Sequence, residues 1–109
     1  MCFDIETREN EGATYVAVTG ELDVATAPLL AERIAQAETA AAPLIVVDLS
    51  GVSFMDSTGL HTLLEAHARS QQEGDRLRIA SPWSAQVQRL MELAGVVDEL
   101  PLLPVSAGS

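Results

Sequence analysis

Apolar and polar positions alternate at the start of the chain, with Phe3, Ile5 and Thr7 set against Asp4, Glu6 and Arg8. A period of two predicts a strand with one buried face. "ENEGA" (9–13) is a polar turn containing Gly12, and the β-branched and aromatic "TYVAVTG" (14–20) is the returning strand of a hairpin. The period then changes. Leu29, Leu30, Ile34 and Ala37 follow at helical spacing, behind Thr26 as N-cap and Pro28 in the first turn, where its missing N–H costs nothing. This helix is expected to stop near residue 40, because the residue before Pro43 is pushed out of helix.

"LIVVDL" (44–49) is a continuous aliphatic run, the pattern of a central strand covered on both faces. "SGVSF" (50–54) reads as a connecting loop. From Asp56 a second helix is signalled, with Leu60, Leu63, Leu64 and Ala68 as its apolar stripe and Gly74 at its end. "RLRIA" (76–80) is a short strand, so 44–80 forms a strand–helix–strand unit, which is parallel and right-handed in nearly all cases. A third helix lies within "SPWSAQVQRLMELAG" (81–95), capped by Ser84 or Ser81, with Val87, Leu90, Met91 and Ala94 on its apolar face and Gly95 at C′. The two prolines of "VVDELPLLPV" (96–105) allow at most an edge strand or a docking turn, and residues 106–109 form a frayed tail. The order predicts one small α/β domain over 1–105. It has a mixed four- to five-stranded sheet, an N-terminal hairpin, βαβ units and helices packed on the sheet.

Composition narrows this picture. A chain of 109 residues is one domain, and with aromatics at 4% its core must be aliphatic. Sixteen acids against 6 bases give a net charge of −10. That surface repels a phosphate backbone, so no nucleic-acid partner is expected, and it suits a protein with a basic patch. Cys2 is the only cysteine, so no internal disulfide forms; it is expected to be a core or edge thiol in a reducing compartment. No apolar run approaches the roughly 18–20 residues of a membrane span, and "MCFDIETREN", which alternates and carries acids, is not expected to act as a signal peptide. A cytoplasmic protein without membrane contact is the expectation. A monomer is expected too, because no long apolar edge or heptad pattern appears.

Candidate chemistry centres on "FMDSTGL" (54–60), where two hydroxyls and a glycine follow an aspartate. Three roles compete: a nucleophile, a phosphate-binding turn, or a site of phosphorylation. Ser57 and His61 are four apart and share a helix face, with Asp56 adjacent, but a triad also needs a third group orienting the imidazole and an oxyanion hole, and the elbow pattern G-x-S-x-G is absent. His61 and His67 are six apart and lie on different faces, and neither nucleotide-binding glycine pattern is present. No catalytic residue, metal or cofactor is therefore expected. Asp56 is a strong N-cap, with Ser57 and Thr58 at the first two helical positions. Local pattern alone reads as a plain capped helix. Against that, Thr58 and Gly59 are poorer helix formers than alanine. Gly59 also clears space beside the hydroxyls for a partner's backbone, and the loop leaves the carboxyl end of a buried strand, where α/β sheets keep their functional groups.

Three stretches together resemble a known family. "VVDLSGVSFMDSTGL" (46–60) resembles the signature of the STAS-domain anti-sigma factor antagonists, "VTGELDVATAP" (18–28) their other recurrent segment, and "RLRIASPWSAQVQRLMELAGVVDEL" (76–100) their last strand and helix. The resemblance implies a bacterial partner-switching protein without catalysis of its own. In that family the unmodified antagonist binds an anti-sigma factor that is also a serine/threonine kinase, and sigma factor is released. Phosphorylation discharges the antagonist, and a PP2C-type phosphatase restores it. Carried over by motif, the acceptor is Thr58, with Ser57 as the alternative; Asp23, Asp56, Ser57, Thr58 and Gly59 form the partner surface. Serine is the commoner acceptor in the family, so Thr58 is a departure. The runner-up is a STAS module in a lipid-transport or stress-sensing assembly; a hydrolase using Ser57 and His61 is third. Trp83 is expected in core packing or a cap contact.

Overall fold

The computed structural model describes residues 3–104, so the expectations for Cys2 and for the tail at 106–109 lie outside the described residues. The elements are β1 (Asp4–Asn10), β2 (Ala13–Leu22), α1 (Ala27–Thr39), β3 (Leu44–Met55), α2 (Ser57–Gln72), β4 (Leu77–Ser81), α3 (Ala85–Ala94) and β5 (Leu102–Pro104). They build a five-stranded sheet in the order β1-β2-β3-β4-β5. β1 and β2 are antiparallel, and every other neighbouring pair is parallel.

The hairpin turns on two residues in the left-handed region, Glu11 at φ 52° and Gly12 at φ 84°. That is the twist a two-residue connection between right-handed strands requires. β1 is longer than expected. Of Phe3, Ile5 and Thr7 only Ile5 is buried, in keeping with the place of β1 at the edge of the sheet. Thr7 is exposed there and its hydroxyl accepts from Arg33 Nη1 at 3.2 Å.

"SGVSF" is not a loop: β3 runs unbroken from Leu44 to Met55. Its pairing with β2 slips twice, between Ala17 and Thr19 and between Gly20 and Glu21. Each slip turns the strand, so Leu49, Val52 and Met55 are buried at a spacing of three instead of two. That broken period hid the strand's second half. Gly51 belongs to the same irregularity, for a Cβ there would lie 2.4 Å from Thr19 Cγ2.

Each parallel connection moves one strand along in the same direction. Right-handed crossovers then place all three helices on one face of the sheet. One apolar cluster accordingly joins Val16, Val47 and Ile79 of the sheet to Leu30 and Ile34 of α1, Leu63 of α2, and Val87 and Met91 of α3. The opposite face carries the cross-strand row Arg8, Tyr15, Val46 and Arg78, and beside it Glu6, Ala17, Asp48 and Ala80. Of these only Val46 and Ala80 are buried, so coverage on both faces, expected for all of "LIVVDL", holds for Val46 and not for Asp48.

The helix faces also depart in detail. On α2 the buried set is Gly59, Leu60, Leu63, Ala66 and Ser70; Ala68 is exposed. On α3 Val87 and Met91 are buried, Leu90 is half-buried and Ala94 is exposed. Ser84 caps α3 by accepting from Val87 N at 3.3 Å, and Gly95 closes it at φ 72°.

Candidate functional site

β2 and β3 are parallel neighbours whose carboxyl ends pair Leu22 with Met55. The loops that follow therefore leave the sheet side by side, carrying Asp23 and Asp56. The Asp56 amide donates to the Leu22 carbonyl at 3.2 Å and ties the two loops together.

Asp56 has the extended backbone of an N-cap, φ −108° and ψ −175°. Its Oδ1 accepts from Thr58 N at 2.9 Å and Gly59 N at 3.1 Å, and its carbonyl accepts from Leu60 N at 3.1 Å. Two of the helix's free amides are thereby satisfied. Asp56 is half-buried, Ser57 is exposed and Thr58 is half-buried. Among the described residues neither hydroxyl has a hydrogen-bond partner, while the Thr58 carbonyl accepts from Thr62 Oγ1 at 3.1 Å. Both hydroxyls are thus free to react or to be read, and the positive end of α2 lies beneath them.

Asp23 organises the neighbouring turn. Its Oδ1 accepts from Ala25 N at 3.0 Å and Thr26 N at 3.2 Å. The Thr26 hydroxyl accepts from Asp23 N at 2.9 Å and donates to the Glu21 carbonyl at 2.7 Å. Thr26 occupies the N-cap position of α1, but its side chain makes no cap bond. Its hydroxyl is spent on the turn, and the Asp23 carbonyl serves the Thr26 and Ala27 amides instead, at 3.1 and 2.8 Å. Asp23 therefore holds its own loop through one carboxylate oxygen.

Gly59 has a different reason from the one expected. It is buried, and the space beside its Cα is filled by Leu22 and Met55 of the same chain. The glycine lets α2 approach the end of β2; the room it makes faces the core. His61 Nε2 lies 3.0 Å from Glu65 Oε2, both side chains exposed, and among the described residues no hydrogen bond joins His61 to Ser57, the contact a nucleophile would need. Among the described residues no cluster of three or more His, Cys, Asp or Glu could hold a metal ion. Trp83 is half-buried against the core and donates to Gln88 Oε1 at 2.5 Å, as packing predicts.

Sequence reasoning missed three residues here. Val24, 71% exposed, follows Asp23, and Phe54, 41% exposed, stands two residues before Asp56. They set apolar surface beside the acids and hydroxyls, a mixture suited to a protein partner. The signal for Val24 was an apolar residue inside a polar turn; Phe54 was hidden by reading 50–54 as a loop. The third, Gln86, bonds both backbone groups of Met55 from α3.

The strand order never reverses, so no crevice opens between diverging strands as at the switch point of a doubly wound sheet. The site is a surface. No helix among the described residues is long and apolar enough to cross a membrane.

Known proteins share this fold. A family model described as the STAS domain matches residues 4–107. The chain is similar to an anti-sigma-B factor antagonist of Bacillus subtilis, at 30% identity over 108 residues covering 99% of this chain and 97% of the relative. An anti-sigma-B factor antagonist of Staphylococcus aureus is 35% identical over 109 residues, covering 100% of this chain and 97% of the relative. In fold it is similar to the Bacillus cell fate determinant SpoIIAA in its phosphorylated form, with a TM-score of 0.69 and 19% identity over 98% of this chain and 94% of that one. Capped helix, paired loops and sheet order thus come together with these likenesses, and the chain belongs to the STAS-domain family of anti-sigma factor antagonists.

Proposed function

We propose that this chain is the antagonist in a partner-switching system. Its unphosphorylated form binds an anti-sigma factor that is also a serine/threonine kinase, and sigma factor is released. Phosphorylation at Thr58 ends that binding, and a PP2C-type phosphatase restores it. The reading places the chain in the cytoplasm, as a monomer. It is supported by relatives named anti-sigma-B factor antagonists that match over nearly their whole length, and by a neighbour in fold solved in a phosphorylated form.

The observation that carries it is the mouth of α2. Asp56 Oδ1 takes the Thr58 and Gly59 amides, and the Ser57 and Thr58 hydroxyls are left without partners among the described residues. A phosphate adds about −1.5 to −2 charge, and the helix end beneath it favours an anion by roughly 0.3–1 kcal/mol. The fold tolerates the modification. The docking face, carrying Asp23, Asp56, Ser57 and Thr58 beside Val24 and Phe54, does not. A poorly paired dianion buried in an interface costs several kcal/mol. About 4 kcal/mol at ~1.4 kcal/mol per decade weakens binding nearly a thousandfold.

The test is incubation of the chain with ATP and the anti-sigma factor kinases of its own organism, with the labelled residue mapped by mass spectrometry. Thr58→Ala is expected to abolish labelling and keep binding, and Ser57→Ala to keep both. Label on Ser57 in the Thr58→Ala variant moves the acceptor by one residue. A chain that neither binds nor is labelled by any such kinase serves another assembly.

A further inference from the structure

β3 pairs with β4 only as far as Asp48 opposite Ala80, then continues alone on that side to Met55. The end of β3 therefore presents backbone groups where a neighbouring strand is absent. Met55 is fully buried, at 0% exposure, so its N–H and C=O cannot turn to water. The side chain of Gln86, at the second position of α3, fills the gap. Its Oε1 accepts from Met55 N at 2.8 Å and its Nε2 donates to Met55 O at 2.9 Å. A side-chain amide thus reproduces what the next strand would have offered, donor and acceptor on one rigid plane.

Met55 is the last residue before Asp56, and the Asp56 amide is already tied to Leu22 O at 3.2 Å. The start of α2 hangs from two anchors, one on β2 and one on α3. We infer that Gln86 is a positioning residue for the phosphoacceptor loop: by clamping Met55 it fixes the angle at which Asp56 caps α2 and at which Ser57 and Thr58 face the kinase. This rests on the switching role proposed above for those hydroxyls. Gln86 acts through the backbone it holds.

The experiment uses the full chain, labelled with nitrogen-15, as wild type, Gln86→Ala, Gln86→Glu and Arg89→Ala; Arg89, exposed on the same helix, is the control. Amide exchange and backbone shifts are read by NMR, and phosphorylation kinetics with the kinase that labels the wild type. In Gln86→Ala the Met55 amide is expected to exchange about ten- to a hundredfold faster, the size set by two lost hydrogen bonds. Shift changes are expected to centre on residues 53–60, and kcat to fall about tenfold while KM rises by less, because the hydroxyl is misplaced while the Asp23 and Val24 side of the docking face keeps its place. Gln86→Glu still accepts from Met55 N and cannot donate to Met55 O, so it is expected to fall between. Should the alanine variant not fold, Gln86→Met keeps the side-chain volume and carries the same test. Exchange and shifts at 53–60 that match the Arg89→Ala control overturn the inference, and so does an altered loop with kcat unchanged. If no kinase labels the wild type, the switching role fails, and the clamp stands or falls on the amide data alone.

Discussion

A Cβ on Gly59 would lie 2.9 Å from Leu22 O, 2.9 Å from Leu22 Cγ and 3.0 Å from Met55 Cγ. The side chains have some freedom to give; the carbonyl has none, because it accepts the Asp56 amide. Alanine favours helix over glycine by about 1 kcal/mol in an open position. Overpacking in a close-fitted site costs about 1–3 kcal/mol, so strain outweighs propensity here. Gly59→Ala is therefore expected to lower stability by up to about 2 kcal/mol, read as a lower urea midpoint with an unchanged slope. A variant as stable as wild type would mean that α2 shifts freely off β2, and the fixed presentation of Thr58 would go with it. Sequence alone assigned Gly59 to a partner because glycine offers the same clue, missing volume, whichever side the volume is needed on. Asp56 was readable because a cap acts within three residues, whereas the bonds made by Gln86 span 31 positions and leave no local mark.

Among the elements, α2 shows what a periodic pattern reports and what it omits. Leu60 and Leu63 mark its buried face, but Ala66 and Ala68 give nearly equal signals, and only Ala66 is buried. Ser70, also buried, looks from sequence like an error in the stripe. Its hydroxyl accepts from Leu77 N at 2.8 Å, across the turn into β4. The helix thereby ends by satisfying the first amide of the next strand. Ser70→Ala would leave that amide buried and unpaired, a loss of about 1–3 kcal/mol. Thermal unfolding of Ser70→Ala against Ala68→Ser, a change on the exposed side, checks this: only the first is expected to lower Tm. β3 makes the same point for strands. "LIVVDL" was legible because its apolar run is unbroken, and "SGVSF" was not, because two register slips break the alternation on which strand reading depends. What holds each of these segments is a contact to another element, and one-dimensional spacing carries no trace of it.

For the molecule as a whole, the proposed switch could work by refolding or by rejection at the interface. Strand order and crossover hand place every helix among the described residues on one face and gather the carboxyl ends of β2 and β3 at one end of the sheet. No hinge or second domain is needed to present Thr58. A phosphate there meets the positive end of the α2 dipole, worth about 0.3–1 kcal/mol, and the carboxylates of Asp56 and Asp23, which oppose it by a similar amount at the surface. The two nearly cancel, so the phosphorylated chain is expected to keep its circular dichroism spectrum and a Tm within about 4 °C of wild type. Amide shifts are expected to move only near residues 20–30 and 50–65. The net charge of −10 does not supply the loss of affinity: two further negative charges change little in the free protein and would draw a basic partner at long range, so the loss has to come from a dianion buried poorly paired at the contact. Thr58→Glu adds one charge in place of a dianion, so it is expected to weaken binding by clearly less than the phosphate does. Calorimetric titration of the kinase with the unmodified, phosphorylated and Thr58→Glu chains orders the three. Shift changes spread through α3 or β1 on phosphorylation, or equal affinity of the phosphorylated and unmodified chains, would show that charge at the mouth of α2 does not drive the switch.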